Sequence, residues 1–243
     1  MMLSSMKKWI KWILKKKGFV LQTFVPEHSP CAMLEKFICK YEIDLILDVG
    51  ANIGQFSRGI RENGYKGKII SYEPLSAAYD SLLENSKNDS LWTIYDKCAI
   101  GSYKGFVDIN ISANSVSSSI LSIMKLHVES APTSAYIATE RVRIETLDSV
   151  ALEAAQEFKN IFIKIDTQGF EWEVLDGAQK IMRLARAIQL EVSLEPLYEG
   201  TKLWKDIVAR LENEGFSVFA LYPAFCSPET GRILQCDILF VKN

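Results

Sequence analysis

Asp44-Leu-Ile-Leu-Asp-Val-Gly-Ala-Asn-Ile-Gly54 is the stretch on which the fold turns. The apolar run Asp44–Val49 shows no polar alternation and meets a glycine-bearing turn at once, as a strand buried on both faces of a parallel sheet does. From Gly54 the period becomes helical, with Phe56 and Ile60 one turn apart and Asn63-Gly64 as the stop. The unit is strand, tight turn, helix, and in open α/β folds a ligand binds at the carboxyl end of such a strand.

Downstream, Lys68–Glu73 reads as a second strand, Pro74 opens a helix with Ala78, Leu82 and Leu83 on one side, and Leu91–Ile100 supplies a third strand. Phe106–Ile111 and Arg141–Ile144 read as short strands separated by a Ser-rich stretch from Ser112 to about Glu140, a connection long enough to be a functional lid. Asn160–Asp166, Glu171–Leu184, Ala187–Val192 and Leu203–Asn213 continue as strand, helix, strand and helix, with Gly215 closing the last. Phe216–Leu221 and Ile233–Lys242 are joined by about ten residues without a helix, which predicts an antiparallel hairpin at the sheet edge. The expected fold is α/β: an open, doubly wound, Rossmann-like sheet of seven strands. It should be mostly parallel, with an antiparallel C-terminal hairpin strand and helices on both faces. Upstream, Ser29-Pro30 starts a helix whose Met33, Leu34, Phe37, Ile38 and Tyr41 share a face. Residues 1–43 are expected to form a helical extension and residues 44–243 the domain, with the lid at about 112–140.

The formal charge of −2 resolves into +6 on residues 1–17, which hold Lys7, Lys8, Lys11, Lys15, Lys16 and Lys17 and no acid, and −8 on the rest. An acidic body argues against a nucleic-acid partner and suits a cleft for a cationic cofactor. Met6, Trp9, Ile10, Ile13 and Leu14 fall at helical spacing with lysines opposite. That pattern suits residues 6–17 as a helix lying peripherally on a membrane, or one packing on its own domain or on a partner chain. Lys11 and Lys15 interrupt any apolar signal core, and no run approaches the roughly 18 apolar residues of a membrane span. The five cysteines form no CxxC pair and no even framework, so neither a structural zinc nor a disulfide scaffold is predicted and a cytoplasmic location is expected. Nothing in the sequence sets the oligomeric state.

A dinucleotide-binding turn, GxGxxG, would need glycines at 50, 52 and 55, where this chain has Gly50, Asn52 and Gln55. S-adenosylmethionine has no phosphate and presents an amino-acid end, so the turn Gly50-Ala51-Asn52 with Gly54, and Asp48 beside it, suits that cofactor better than NAD. Glu73, followed by Pro74, ends the second strand nineteen residues after Gly54, where an acid accepts hydrogen bonds from ribose hydroxyls. Asp96, Cys98 and Ala99 lie where an adenine would rest, Cys98 being either a lining or a core residue. Asp166 ends a later strand at the same edge, where a carboxylate needs partners or a task.

Six segments carry a specific likeness: DVGANIG (48–54), YEP (72–74), AIG (99–101), SVSSSI (115–120), ETLD (145–148) and KIDTQGFEWEVLDGA (164–178). With these, in order over about residues 44–193, the sequence resembles the FkbM family of methyltransferases. Phe170 stands where that family commonly has a small residue, which implies different local packing. The resemblance implies the class I methyltransferase fold and transfer of a methyl group from S-adenosylmethionine, usually to a hydroxyl oxygen of a sugar or secondary metabolite. The partner would then be a small-molecule or glycan acceptor. Apart from the family, an alcohol attacks a methyl sulfonium only when a base takes its proton and both groups are held in line. Asp166 is the best-placed carboxylate, with Glu171 and Glu191 as supporting acids or metal ligands. His127, in the lid-like segment, is the other candidate base, or else a solvated surface histidine. No HExxH or close carboxylate cluster is present to predict a metal site. A degenerate relative serving as a membrane-surface scaffold would show an eroded turn or missing acids, and both are intact here.

Overall fold

A computed structural model describes residues 2–19, 25 and 29–242; the side chains of residues 1–7, Met6 and Lys7 of the predicted amphipathic stretch among them, lie outside the described set. Leu45–Val49 (β1) is buried along its whole length and pairs in parallel with Lys68–Tyr72 (β2) on one side and Ile161–Ile165 (β7) on the other. Trp92–Ile94 (β3) lies outside β2, and Ala185–Ser193 (β8), Gln235–Lys242 (β10) and Phe216–Pro223 (β9) follow β7. The order β3-β2-β1-β7-β8-β10-β9 makes a sheet of seven strands, parallel except for β10, which runs antiparallel to both neighbours. Chain order reverses between β1 and β7, and that switch point opens a crevice at the carboxyl ends of the strands.

Both faces of the sheet are covered because β1 alternates apolar side chains to each side. Leu45, Leu47 and Val49 join a core with Leu147–Ala155 (α6), Glu171–Asp176 (α7), Gln179–Leu184 (α8) and Trp204–Asn213 (α9). Ile46 faces the other side, against Pro30–Lys40 (α2), Gln55–Glu62 (α3) and Ser76–Ser86 (α4). Helix α2, expected within an extension, packs into this second core: Phe37 sits 6.3 Å from Phe162 and 4.8 Å from Phe219 between ring centroids. Met2–Lys16 (α1) is the helix predicted for the lysine-rich stretch.

The structure departs from expectation between residues 91 and 145. The single strand predicted over Leu91–Ile100 is two: β3 stays in the main sheet, while Ala99–Ile100 (β4) leaves it to pair with Tyr136–Glu145 (β6). The polar Asp96-Lys97 pair lies between them and is exposed, which a strand buried on both faces would not allow. Strand β6 also pairs antiparallel with Gly105–Ser112 (β5), so β4, β6 and β5 form a second sheet of three strands. Ile109, Val142 and Ile144 from this sheet pack on Leu75, Ala78 and Phe170 and set it as a roof over the crevice. The lid-like segment is shorter than expected, since β6 begins at Tyr136, and it holds a short helix, Lys125–Ser130 (α5).

The helix predicted over Glu171–Leu184 is broken at Gly177-Ala178. A Cβ at Gly177 would lie 1.9 Å from the Gly101 carbonyl oxygen, so the helix end and the start of the second sheet touch backbone to backbone. The second half restarts on Asp148, whose carboxylate accepts from the Lys180 and Ile181 N–H groups at 3.0 and 2.9 Å. Gly177→Ala is therefore expected to cost about 1–3 kcal/mol by forcing a backbone shift. Gly59→Ala, in α3 with open space around the new methyl, should gain about 0.5–1 kcal/mol. Urea unfolding of the pair checks both; equal stability of the Gly177 variant would disprove the contact.

Candidate active site

The crevice is a cavity of about 340 Å³ at the carboxyl ends of β1, β2 and β7, within the range of small-ligand pockets. Its floor is the turn after β1, where Gly50, Asn52 and Gly54 all have positive φ, at 76°, 48° and 86°. A Cβ at Gly50 would stand 1.9 Å from the Asp166 carbonyl oxygen, so only glycine lets this turn pass the end of β7. Glu73 leaves β2 with both carboxylate oxygens engaged: Oε2 accepts from the Asn52 N–H at 2.8 Å and Oε1 from the Leu75 N–H at 2.9 Å. Each oxygen keeps a lone pair for a hydroxyl donor. Burial pushes this carboxyl up to about 7, against the pull of the two backbone N–H groups. Beyond it Leu75, Cys98, Ala99, Ile100, Ile109 and Phe170 make an apolar wall.

The opposite end is polar. Ser71, Asp48, Lys164 and Gln189 stand side by side in register across β2, β1, β7 and β8. Asp48 is fully buried, accepts from Ser57 Oγ at 2.8 Å and lies 3.7 Å from Lys164 Nζ. The same ammonium reaches Asp166 Oδ2 at 3.2 Å. Burial alone would lower the Lys164 pKa, but Asp166 and Asp48 outweigh it and hold the group well above its ordinary value. Burial likewise raises Asp48, with Lys164 and Ser57 opposing.

Gln168 links the remaining acids. It sits at φ 54° and donates Nε2 to Asp166 Oδ1 at 2.8 Å and to Glu191 Oε2 at 2.7 Å. Its Oε1 accepts from the Tyr198 hydroxyl at 2.8 Å, and its backbone carbonyl accepts from Ser119 Oγ in the lid at 2.7 Å. Those partners fix which end of the carboxamide faces the acids. Burial, then repulsion from Asp166, raise Glu191 well above the ordinary range and Asp237 to about 6.

Of the residues singled out from sequence, Gly50, Ala51, Asn52, Glu73, Pro74, Cys98, Ala99 and Asp166 all line this one cavity. Cys98 is both lining and core, being fully buried. Asp48 lies beneath the floor rather than on it. Gly54 packs under Trp92, whose ring a Cβ would approach to 2.6 Å. Asp96 is exposed and outside the lining, because the chain turns there into the second sheet. Glu171 is buried and turned away from the cavity; its Oε1 accepts from the Thr167 and Gly169 N–H groups at 3.0 and 3.1 Å and holds the turn before α7. His127 also lies outside the lining and is 3% exposed. It packs 5.1 Å from Tyr198 and 5.2 Å from Phe225, and burial lowers its pKa to about 4. Lys164, Gln168, Gln189 and Asp237 went unmarked in the sequence. A signal for Asp237 was there: an acid inside the apolar run Cys236–Phe240 needs a reason.

A crevice with a glycine turn, a carboxylate on the next strand and an antiparallel C-terminal hairpin defines the class I methyltransferase architecture. The family model for the methyltransferase FkbM domain matches residues 48–218. Methyltransferase sdnD of Sordaria araneosa is 29% identical over 195 residues, covering 71% of this chain and 73% of that protein. The crystal structure of methyltransferase FkbM from Methylobacillus flagellatus superposes with a TM-score of 0.52 at 13% identity over 81% of this chain. This chain spans 44% of that protein's length. The chain belongs to the FkbM methyltransferase family, and it is an S-adenosylmethionine-dependent methyltransferase.

Lys164 is the cation on which the buried acids depend, so Lys164→Met should cost about 3–5 kcal/mol near neutral pH by leaving Asp48 and Asp166 unpaired. With Lys164 held above its ordinary value, the wild type keeps this contribution throughout the neutral range and loses it only in alkali. In the variant the deficit should shrink as the pH falls, because Asp237, pushed up to about 6, and Asp48, raised by burial, take up protons. Urea unfolding at several pH values reads this directly; a deficit independent of pH would refute the assignment.

Proposed function

We propose that this methyltransferase acts on a hydroxyl oxygen of a small polyhydroxylated acceptor, a sugar, glycan or secondary metabolite, with Asp166 taking the proton. The carrying observation is that one cavity holds a glycine turn and a diol-competent carboxylate at one end, and a cluster of carboxylates and carboxamides at the other. The residues fit the cofactor: Gly50 keeps the floor clear where a Cβ would fill it, Glu73 offers free lone pairs to ribose hydroxyls, and Ala99 and Leu75 offer an apolar seat for adenine. Bound there, S-adenosylmethionine supplies an electrophilic methyl group on a positively charged sulfur. The protein's part is to orient the acceptor, exclude water and move one proton.

Asp166 lines the cavity, with Gln168 fixing Oδ1 and Lys164 beside Oδ2. A carboxylate so held is pre-aligned to accept a hydroxyl proton as the oxygen attacks. Glu191, Gln189 and Asp237 present further acceptors and donors at the same end, the chemistry that hydroxyl-rich ligands use. His127 is buried between aromatic rings and does not line the cavity, and burial makes its imidazole a weak base, with a pKa lowered to about 4, so in this reading the proton goes to Asp166.

Asp166→Asn should leave S-adenosylmethionine affinity within a few fold and lower turnover about 10²–10⁴-fold, measured as labelled-methyl transfer to a panel of polyol acceptors. His127→Ala should keep near-normal turnover. A normal Asp166→Asn beside an inactive Glu191→Gln would move the base to Glu191.

Cofactor binding should also report Glu73. Hydroxyl donors favour its ionised form, whose protonation centres at about 7, so affinity should rise from about pH 6 to 8 and then level off. Glu73→Ala should weaken binding by about 1.5–3 kcal/mol, and Glu73→Gln should flatten the profile. Calorimetry across that range decides; an unchanged profile in the Gln variant would sink the ribose assignment.

A further inference from the structure

Helix α1 stands apart from everything described so far. Its described side chains are exposed or half-buried, with Trp9 at 61% and Trp12 at 55%, and none of them joins a hydrophobic cluster of the body. The apolar side chains nevertheless share one face: at about 100° per residue Trp9, Ile13, Ile10 and Leu14 run down one side, with Lys8, Lys11 and Lys15 opposite. Trp12 falls at the boundary, with Lys16 Nζ 4.0 Å from its ring centroid. Among the described residues, no ion pair ties Lys8–Lys17 to the acidic body.

We infer that α1 docks the protein on an anionic lipid surface, lying in the interface with its tryptophan face among the headgroups and its lysines against them. Three observations favour lipid as the occupant. The charge is of one sign, +6 over residues 1–17, whereas the rest of the chain carries −8 and is repelled by the same surface, so contact falls to the helix. The exposed aromatics are tryptophans at the apolar–polar boundary, the side chain that settles at membrane interfaces. At 15 residues the helix is about 22 Å long, too short for a hydrocarbon core of about 30 Å, and no helix among the described residues is long and apolar enough to cross a membrane. The helix lies on the bilayer and does not span it. This inference is independent of the acceptor's identity.

The full chain should co-sediment with vesicles of phosphatidylcholine mixed with phosphatidylglycerol, and much less with phosphatidylcholine alone. Added salt should release it, since the lysines act through screened charge. The triple variant Lys8→Gln, Lys11→Gln, Lys15→Gln and the double variant Trp9→Ser, Trp12→Ser should each lower the partition at least about tenfold. Both should bind S-adenosylmethionine as the wild type does, which shows that the body is folded. Equal binding to neutral and anionic vesicles, or variants that sediment like the wild type, would overturn the proposal. So would a dimer in light scattering that the tryptophan variant dissociates while vesicle binding is absent, because the face would then belong to a second copy.

Discussion

The carboxyl ends of β1 and β7 meet at Gly50, where a single methyl group would drive into the Asp166 carbonyl oxygen. That approach joins the two halves of the site. On one side the turn continues to Asn52, whose N–H holds Glu73; on the other the chain continues from Asp166 into Gln168. Parallel pairing of β1 with β7, in register from Leu45 with Ile161 to Val49 with Ile165, brings the two strand ends level. In the proposed reading, the groups that face the cofactor and those that face the acceptor therefore flank one junction of two strand ends.

Charge is the second organising constraint. Asp48, Asp166 and Asp237 surround the Lys164 ammonium, and Glu191 stands against Asp166 and Asp237 in the same largely buried region. Desolvation disfavours every added negative charge there, which is why Glu191 and Asp237 are raised while Lys164 stays protonated. A site in that condition readily accepts a proton, the property on which the proposed attack by an alcohol draws.

The second sheet and its Ser-rich connection supply the remaining wall. Ser119 donates to the Gln168 carbonyl, and the Tyr198 hydroxyl donates to Gln168 Oε1 at 2.8 Å with the Ser117 carbonyl 3.2 Å away. The segment over the cavity is thus fastened to the residue that orients Asp166. Phe170 packs against the roof and lines the cavity wall.

The order of elements, the glycine turn, Glu73 at the next strand end and Asp166 at the edge were legible in the sequence. Each rests on local chemistry: unbroken apolar runs mark buried strands, positive φ calls for glycine, and an acid at a buried strand end needs partners. Tertiary structure alone decided the rest. Sequence period cannot tell which strands pair, so it could not place Ser71, Asp48, Lys164 and Gln189 in one row, nor bring Asp237 opposite Glu191. Within residues 91–100 the polar Asp96-Lys97 pair marks a break, but not which sheet each half joins, because apolar strand residues look alike in either. For the same reason His127 read as a lid residue within reach of the cleft, whereas long-range packing against Tyr198 and Phe225 buries it elsewhere. Periodicity reports what a residue's own element requires; which partners meet across the fold is set by packing between segments distant in the chain.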